Sequence, residues 1–322
     1  MSLVIPLSEI PDRFRPSVGG KAFALAALIR AGLAVPDGVC VVREAYEGLV
    51  RETGLRERIL LELNRKPYDQ MRWEELWDAS LRIRNLFLGT PLLEGYRTAI
   101  GEAVAERFGD RPVVVRSSSV AEDSAKASFA GLHESYVNVR GTEAILDHVR
   151  LVWASLWSDG ALLYRQELGL DVADSSMAVV IQELVAGQRS GVVFEVSPGS
   201  ESQGIVEAVH GLNQGLVDGT VEPDRWTVDR ASGYPVRHDP PAHRQAMVPD
   251  GDAVRLTDLP AEEAARPPLD EEEVAGIYGL CRRAGKVFGA PQDVEWTIRD
   301  EQTYVLQSRP ITTPSPAATE DK

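Results

Sequence analysis

The run Pro291-Gln-Asp-Val-Glu-Trp-Thr-Ile298, followed by Tyr304-Val-Leu-Gln-Ser-Arg-Pro310, constrains the fold more than any other part of the chain. Both runs alternate with the period of a strand, and the polar Arg299-Asp-Glu-Gln302 between them has the composition of a turn. The pattern predicts a β-hairpin. Side chains two apart on a strand share a face. Asp293 and Glu295 are then neighbours on one strand, and Gln307 and Arg309 on the other. Carboxylate and amide oxygens suit Mg²⁺, which keeps several waters and takes phosphate oxygens as further ligands. A guanidinium beside them suits a phosphoryl group in transfer. An exposed hairpin with a surface ion pair would show the same pattern, and the hairpin alone does not separate the two.

Two other stretches bear on that choice. Val18-Gly19-Gly20-Lys21 leads into the apolar-periodic Ala22-Phe-Ala-Leu-Ala-Ala-Leu-Ile29, which reads as a glycine turn, a lysine at the mouth of a helix, and a buried helix face. Helix N-termini offer backbone N–H groups and a positive dipole end, and a lysine there adds a cation for phosphate. A plain helix start has the same sequence. The Walker P-loop is excluded, because its four-residue spacer and the Ser/Thr after the lysine are missing. Further on, Val113-Val-Val-Arg116 delivers an arginine from a β-branched run into a loop of hydroxyls, acids, alanines and glycine around Phe129. An arginine before such a loop is suited to phosphate oxygens, and so many small residues let the loop fold closely over a ligand. A solvated turn has a similar composition.

In this order, the chain carries Gly19-Gly-Lys21; Val115-Arg-Ser-Ser118 with Ala121-Glu-Asp123 and Ser128-Phe-Ala-Gly131; Val137-Asn-Val-Arg-Gly141; Gln182 with Ser190-Gly-Val-Val-Phe194; Pro223-Asp224; and Gln292-Asp-Val-Glu-Trp296 with Gln307-Ser-Arg-Pro310. Together they resemble the ATP-binding domain of the pyruvate phosphate dikinase and phosphoenolpyruvate synthase superfamily, which includes the rifampicin phosphotransferases. The similarity runs from about Pro6 to Thr312. It implies an α+β ATP-grasp fold, with two lobes closing on a nucleotide, and ATP and Mg²⁺ as cofactors. By resemblance, Lys21 and Arg116 hold the ATP phosphates, Glu295 and Gln307 ligate Mg²⁺ with Asp293 in close support, and Arg309 neutralises the phosphoryl group in flight. Arg309, Arg116 and Lys21 would be the catalytic set. The segment Val179–Val185 resembles the strand and hinge bordering the adenine, with Gln182, Glu183 and Val185 as the ATP contacts there.

The chain departs from the family pattern in three places. Gly211-Leu-Asn213-Gln214 stands where the family often has Gly-Leu-Gly-Glu, Glu195 where threonine usually follows Phe194, and Gly160 where an arginine is often found. In multidomain relatives a swivelling domain carries the histidine that accepts phosphate, and a further domain passes it on. The histidines of this chain, His133, His148, His210, His238 and His243, lie in no Gly-rich swivel motif, and each reads as structural or solvated. The expectation is therefore a phosphotransferase module or subunit that serves a phosphohistidine domain in trans, or one lost by truncation, with a small molecule as final acceptor. The relatives transfer phosphoryl or pyrophosphoryl and usually release AMP. The alternatives are an ATP-grasp carboxylate ligase and a non-catalytic nucleotide-binding regulator.

Bulk properties agree with a cytoplasmic enzyme. At 322 residues the chain exceeds one core and predicts more than one lobe. We expect an N-terminal lobe over 1–195 with a helical insertion near 46–108, a C-terminal lobe over 196–312 that contains the hairpin, and a flexible Pro/Ala-rich tail over 313–322. The aromatic and leucine stripe from Trp73 to Phe87 is expected to pack, the segment 233–272 to be a mobile loop, and a helix to run from about Asp270 to Phe288. A formal net charge of −15 disfavours nucleic acid and anionic membranes. Against that sign, Lys21, Arg116 and Arg309 would make a locally basic anion site. Cys40 and Cys281 have no metal spacing and need not pair, which fits a reducing compartment. There is no charged-then-apolar leader and no apolar run of membrane length.

Overall fold

A computed structural model describes residues 2–119, 134–170 and 175–311, together with the backbone of 123–124 and 127–128. The chain divides into two compact units, one of Met1–Val185 with Pro249–Val254 and one of Ala186–Val248 with Arg255–Lys322. Both are α+β. The division falls after Val185 rather than at 195, because the strand Arg189–Phe194 pairs on both edges with strands of the second unit.

The first unit contains strands β1 (Val4–Pro6), β2 (Gly38–Val41), β3 (Val113–Ser118), the short pair β4 (Asp123–Ser124) and β5 (Ala127–Ser128), β6 (Ser135–Val139) and β7 (Ala178–Glu183). Five of them form an antiparallel sheet in the order β1-β2-β7-β3-β6. Its strands read as near-continuous apolar runs because both faces are covered. On one face, helix α1 (Arg15–Arg30) sets Val18, Ala22 and Leu25 against Cys40, Val42, Ala178 and Val180. On the other, Val39, Val41, Val113, Val115, Val179 and Ile181 join a larger core. That core is filled from α2 (Arg43–Glu52), α3 (Leu55–Leu63), α4 (Trp73–Gly89), α5 (Glu94–Phe108) and α6 (Thr142–Ser155), with α7 (Asp159–Glu167) after them. Asn138, buried and left-handed at φ 64°, donates from Nδ2 to the carbonyls of Gly251 and Ala253 at 2.9 and 2.6 Å.

The expected packing of the aromatic stripe is only half met. Leu76, Ala79, Ile83 and Phe87 of α4 are buried, whereas Trp73 and Trp77 are 56% and 48% exposed. The helix is apolar on two faces and one core can cover only one of them.

The second unit contains β8 (Arg189–Phe194), β9 (Gln203–Gly211), β10 (Asp224–Asp229), β11 (Pro235–Asp239), β14 (Gln292–Arg299), β15 (Gln302–Pro310), and β12 (Gln245–Asp250) and β13 (Ala253–Asp258) except for their ends within Pro249–Val254. The sheet runs β11-β10-β9-β8-β14-β15, and β12 joins the end of β9 in parallel before pairing with β13. Helices α8 (Gln214–Val217), α9 (Ala261–Ala264) and α10 (Glu271–Phe288) complete the unit. As predicted, α10 starts at Asp270, whose side chain accepts from the Glu273 N–H while Glu273 accepts from the Asp270 N–H, a capping box. The helix covers one sheet face, with the Tyr278 ring seated where any Cβ on Gly204 would clash at 2.2 Å.

The segment 233–272 is not a loop, since it contains β11, β12, β13 and α9. These are short edge elements with mostly exposed residues, so they lack the apolar alternation that marks a buried strand. The tail 313–322 and His133 lie outside the described residues. Cys40 and Cys281 are buried and unpaired. Among the described residues no helix is long and apolar enough to cross a membrane.

Candidate active site

In the first unit, Lys21 stands where α1 breaks. Gly19 inside that helix has φ 76° and ψ 176°, so the helix restarts at Gly20 with Lys21 in its first turn. Only glycine fits, because a Cβ at position 19 would lie 2.2 Å from the Ser118 carbonyl oxygen as well as in the left-handed region. The restart is held from β3. The Ser118 hydroxyl donates to the Val18 carbonyl at 2.7 Å and accepts from the Ala22 N–H at 3.1 Å, and the Gly20 N–H donates to the Ser119 carbonyl at 3.1 Å. Lys21 Nζ donates to the Ser117 hydroxyl at 3.3 Å. The lysine thus reaches the residue next to Arg116 in β3. The loop motif Ala121-Glu-Asp123 and Ser128-Phe-Ala-Gly131 lies outside the described residues apart from the backbone pairing of β4 with β5.

Arg116 is opposite Val180, and Gln182 is opposite Val114, so Arg116 and Gln182 are diagonal neighbours on the α1 face of the sheet. Gln182 is buried and donates from Nε2 to the Pro36 carbonyl at 3.2 Å. Glu183 accepts from Arg111 at 2.6 Å. The amides of Glu183 and Leu184 donate to the carbonyls of Asp37 and Pro112, and Val185 is buried at the end of the unit. A base edge at this segment would therefore be read by backbone groups other than those two amides.

In the second unit the hairpin forms as predicted. Glu295 is opposite Gln307, and Asp293 is opposite Arg309. Because Val294 and Trp296 alternate toward the α10 face, Asp293 and Glu295 belong to the other face. A bulge after Glu295 leaves Leu306 as the extra residue of β15, an irregularity of the kind that re-aims side chains beside functional sites. Across the sheet the register continues from Glu295 through Val192 to Glu207 and Arg225.

The electrostatics of this face are those of crowded acids. Asp293 is 7% exposed; its Oδ2 accepts from Arg309 Nε at 2.7 Å, while its buried Oδ1 has no hydrogen-bond partner. Burial raises the Asp293 pKa, Arg309 opposes that, and the charge of Glu295 adds to it. Glu207 is raised too, first by burial, with the Arg225 guanidinium 3.7 Å away lowering it and the Asp293 charge raising it. Glu207 was not foreseen as part of the site. Its signal was a lone charge within the apolar run Ile205-Val-Glu-Ala-Val209.

A second member is Asn213, noted in the sequence as part of a departure from the family pattern but not assigned to the site, which donates from Nδ2 to Glu295 Oε2 at 3.3 Å. Its Oδ1 and the Oε1 of Gln214 are buried without partners. Among the described residues no three His, Cys, Asp or Glu side chains are grouped to hold a metal by themselves. What the face offers is carboxylate and amide oxygen, with partnerless acceptor atoms at Asp293 and at Asn213, which contacts Glu295. That donor set fits a hard cation such as Mg²⁺, and it lacks the thiolate or imidazole that softer metals prefer.

The other departures from the family pattern lie elsewhere. Glu195 accepts from the Gln292 N–H at 3.3 Å and packs against Gly285 of α10, on the opposite face. Gly160 sits in the first turn of α7 behind the N-cap Ser158. His148, His210 and His238 each have a partner within the fold.

Residues 15–322 match the family described as the pyruvate phosphate dikinase AMP/ATP-binding domain. The chain is 36% identical over 324 residues to a rifampicin phosphotransferase of a Streptomyces species, covering 99% of this chain and 37% of that protein. It is 35% identical over 301 residues to a protein named "Probable phosphoenolpyruvate synthase" from Methanothermobacter thermautotrophicus, covering 92% of this chain and 44% of that one. It is 34% identical over 349 residues to the phosphoenolpyruvate synthase of Aeropyrum pernix, covering 96% and 42%. The chain thus spans about two fifths of the length of these relatives. Among solved structures, D-alanyl-alanine synthetase A from Vibrio cholerae aligns with a TM-score of 0.30 at 10% identity, over 72% of this chain and 54% of that one.

Proposed function

The chain belongs to the pyruvate phosphate dikinase AMP/ATP-binding domain family, and from that membership we infer that it is the ATP-using part of a phosphotransferase. We propose that it takes a phosphoryl or pyrophosphoryl group from ATP, with Mg²⁺, and passes it to a histidine on a separate domain or partner polypeptide. Onward transfer to a small-molecule acceptor would follow from there. The observation that carries the reading is the second unit's hairpin, where Glu295 is opposite Gln307 and Asp293 holds Arg309 while its other oxygen stays partnerless.

Lys21 and Arg116 would hold phosphate oxygens, the first as a point charge from a helix mouth and the second as a planar fork. Gln182, Glu183 and Val185 would border the adenine. Glu295 and Gln307 would hold Mg²⁺, which when bound shields the phosphate charge. Asp293 keeps the Arg309 guanidinium in place, and Arg309 stabilises the charge that builds on the group in flight. Phosphoryl transfer asks a protein for positioning and neutralisation more than for covalent chemistry.

The test is incubation with Mg²⁺ and γ- or β-labelled ATP, alone and with a candidate histidine-domain protein, resolving nucleotides and polypeptides. Acid-labile label on the partner with release of AMP is the expected result. ADP without labelled protein would make the chain a ligase or direct kinase, and bound ATP with no turnover in any mixture would make it a regulator.

A further inference from the structure

We infer that Asn213 and Gln214 complete the oxygen shell of the cation held by Glu295 and Gln307, so that the cation is taken up together with the nucleotide rather than before it. The inference rests on the proposed Mg²⁺ site and adds to it two residues and an order of binding.

Asn213 is 7% exposed and Glu295 is 8% exposed, so their 3.3 Å contact is made out of water. A carboxylate accepts only, and this fixes which end of the amide faces Glu295: the nitrogen. The Asn213 oxygen takes no part in that contact and is buried with no donor. The next residue repeats the situation, with Gln214 Oε1 buried and partnerless. Native proteins pair buried polar atoms, so partnerless acceptors on two consecutive residues, the first in contact with Glu295, call for something that accepts electron pairs. One water molecule donates at most two hydrogen bonds, whereas a hard cation takes six or more oxygens.

The charge of the shell gives the order of binding. Of the residues assigned to the cation, only Glu295 is an acid, and Asp293 has its charge matched by Arg309. Cation affinity follows the number of charged ligands. A shell with one carboxylate binds the bare ion weakly, and the phosphates of the nucleotide supply the charge it lacks.

The experiment uses Mn²⁺ as the probe, with unbound Mn²⁺ followed by electron paramagnetic resonance on the full chain, with and without a non-hydrolysable ATP analogue. Wild-type protein should hold Mn²⁺ tightly only with the analogue. Gln214→Glu should tighten nucleotide-free Mn²⁺ binding roughly tenfold by adding a charged ligand. Asn213→Gly should weaken Mn²⁺ binding with the analogue by about tenfold, and thermal unfolding of each variant checks that it is folded. If both variants bind Mn²⁺ within twofold of wild type under both conditions, the inference is overturned. Wild type that holds no Mn²⁺ even with the analogue would instead overturn the cation site in the proposed function, a distinct result. Gln214→Glu decides the matter alone should Asn213→Gly fail to fold.

Discussion

Asp224 with Arg244 and Asp293 with Arg309 are both buried aspartates gripped by an arginine at 2.7 Å in the second unit. Asp224 is 2% exposed, and each of its oxygens accepts from Arg244, through Nε and Nη2. His238 Nε2 reaches the same carboxylate at 2.7 Å while its ring stacks on Trp226, and Arg244 goes on to donate to the Ala264 carbonyl. That network joins β10 and β11 to the chain entering β12 and to α9, and both carboxylate oxygens are used. Asp293 uses one oxygen and leaves the other buried and partnerless. A buried charge that is fully paired specifies a fold, whereas one that is half-paired is held ready for a ligand at some cost in stability. The same two residue types therefore do different work, and the difference lies in how far their partners close around them.

The largest effect expected from this contrast is on the half-paired side. Arg309→Ala should lower phosphoryl transfer by about 10³-fold or more, the scale of a lost transition-state arginine, while ATP affinity stays within a few-fold. Single-turnover transfer to a competent histidine partner measures it, with equilibrium nucleotide titration alongside. Near-normal transfer by the variant would remove Arg309 from the chemistry.

The fully paired side should answer in stability instead. Asp224→Ala leaves the mostly buried Arg244 guanidinium without its carboxylate, an expected loss of about 3–5 kcal/mol in unfolding free energy. Denaturant unfolding of Asp224→Ala beside Arg309→Ala is the direct comparison. Equal losses would mean that closure of the network does not distinguish the two pairs.

The two sides were not equally legible in the sequence. The hairpin with Asp293, Glu295, Gln307 and Arg309 could be read because period-two alternation and a polar turn are local signals. The start of α1 at Gly19-Gly20-Lys21 was readable for the same reason. Glu207 and Asn213 were not, because their nearness to Asp293 and Glu295 depends on the order β9-β8-β14-β15 and on its register, over more than eighty residues of chain. The Asp224 network was missed with the elements that carry it, since β11 and α9 bury almost nothing and show no period. Trp73 and Trp77 taught the converse: an apolar periodic face shows that a helix can be covered there, not that the fold covers it.

In the first unit, Lys21 is the counterpart of Arg309. Its bond to the Ser117 hydroxyl is long for a lysine donor, at 3.3 Å. Lys21→Ala should weaken ATP binding by roughly ten- to a hundredfold, the loss of one charge-assisted contact of about 1.5–3 kcal/mol, and leave the unfolding midpoint near wild type. Isothermal titration with ATP and Mg²⁺ tests the first part and thermal unfolding the second. Unchanged affinity would take Lys21 out of the phosphate site.

The smallest effect should come from Ser118, which is the first unit's version of a closed polar group. Its hydroxyl gives to the Val18 carbonyl and takes from the Ala22 N–H, on either side of the Gly19 break. Its one hydrogen is committed to the Val18 carbonyl, so the hydroxyl has no donor left for a phosphate oxygen. Ser118→Ala should therefore behave as loss of a helix cap, about 1 kcal/mol of stability, with ATP affinity changed less than about threefold because Lys21 keeps its place on the first turn. The two measurements pull apart the two ideas of what a serine-rich strand end is for. A drop in affinity larger than the drop in stability would make Ser118 a phosphate contact that the helix borrows, and the rule that closure marks structure would fail at the position where the geometry makes it look safest.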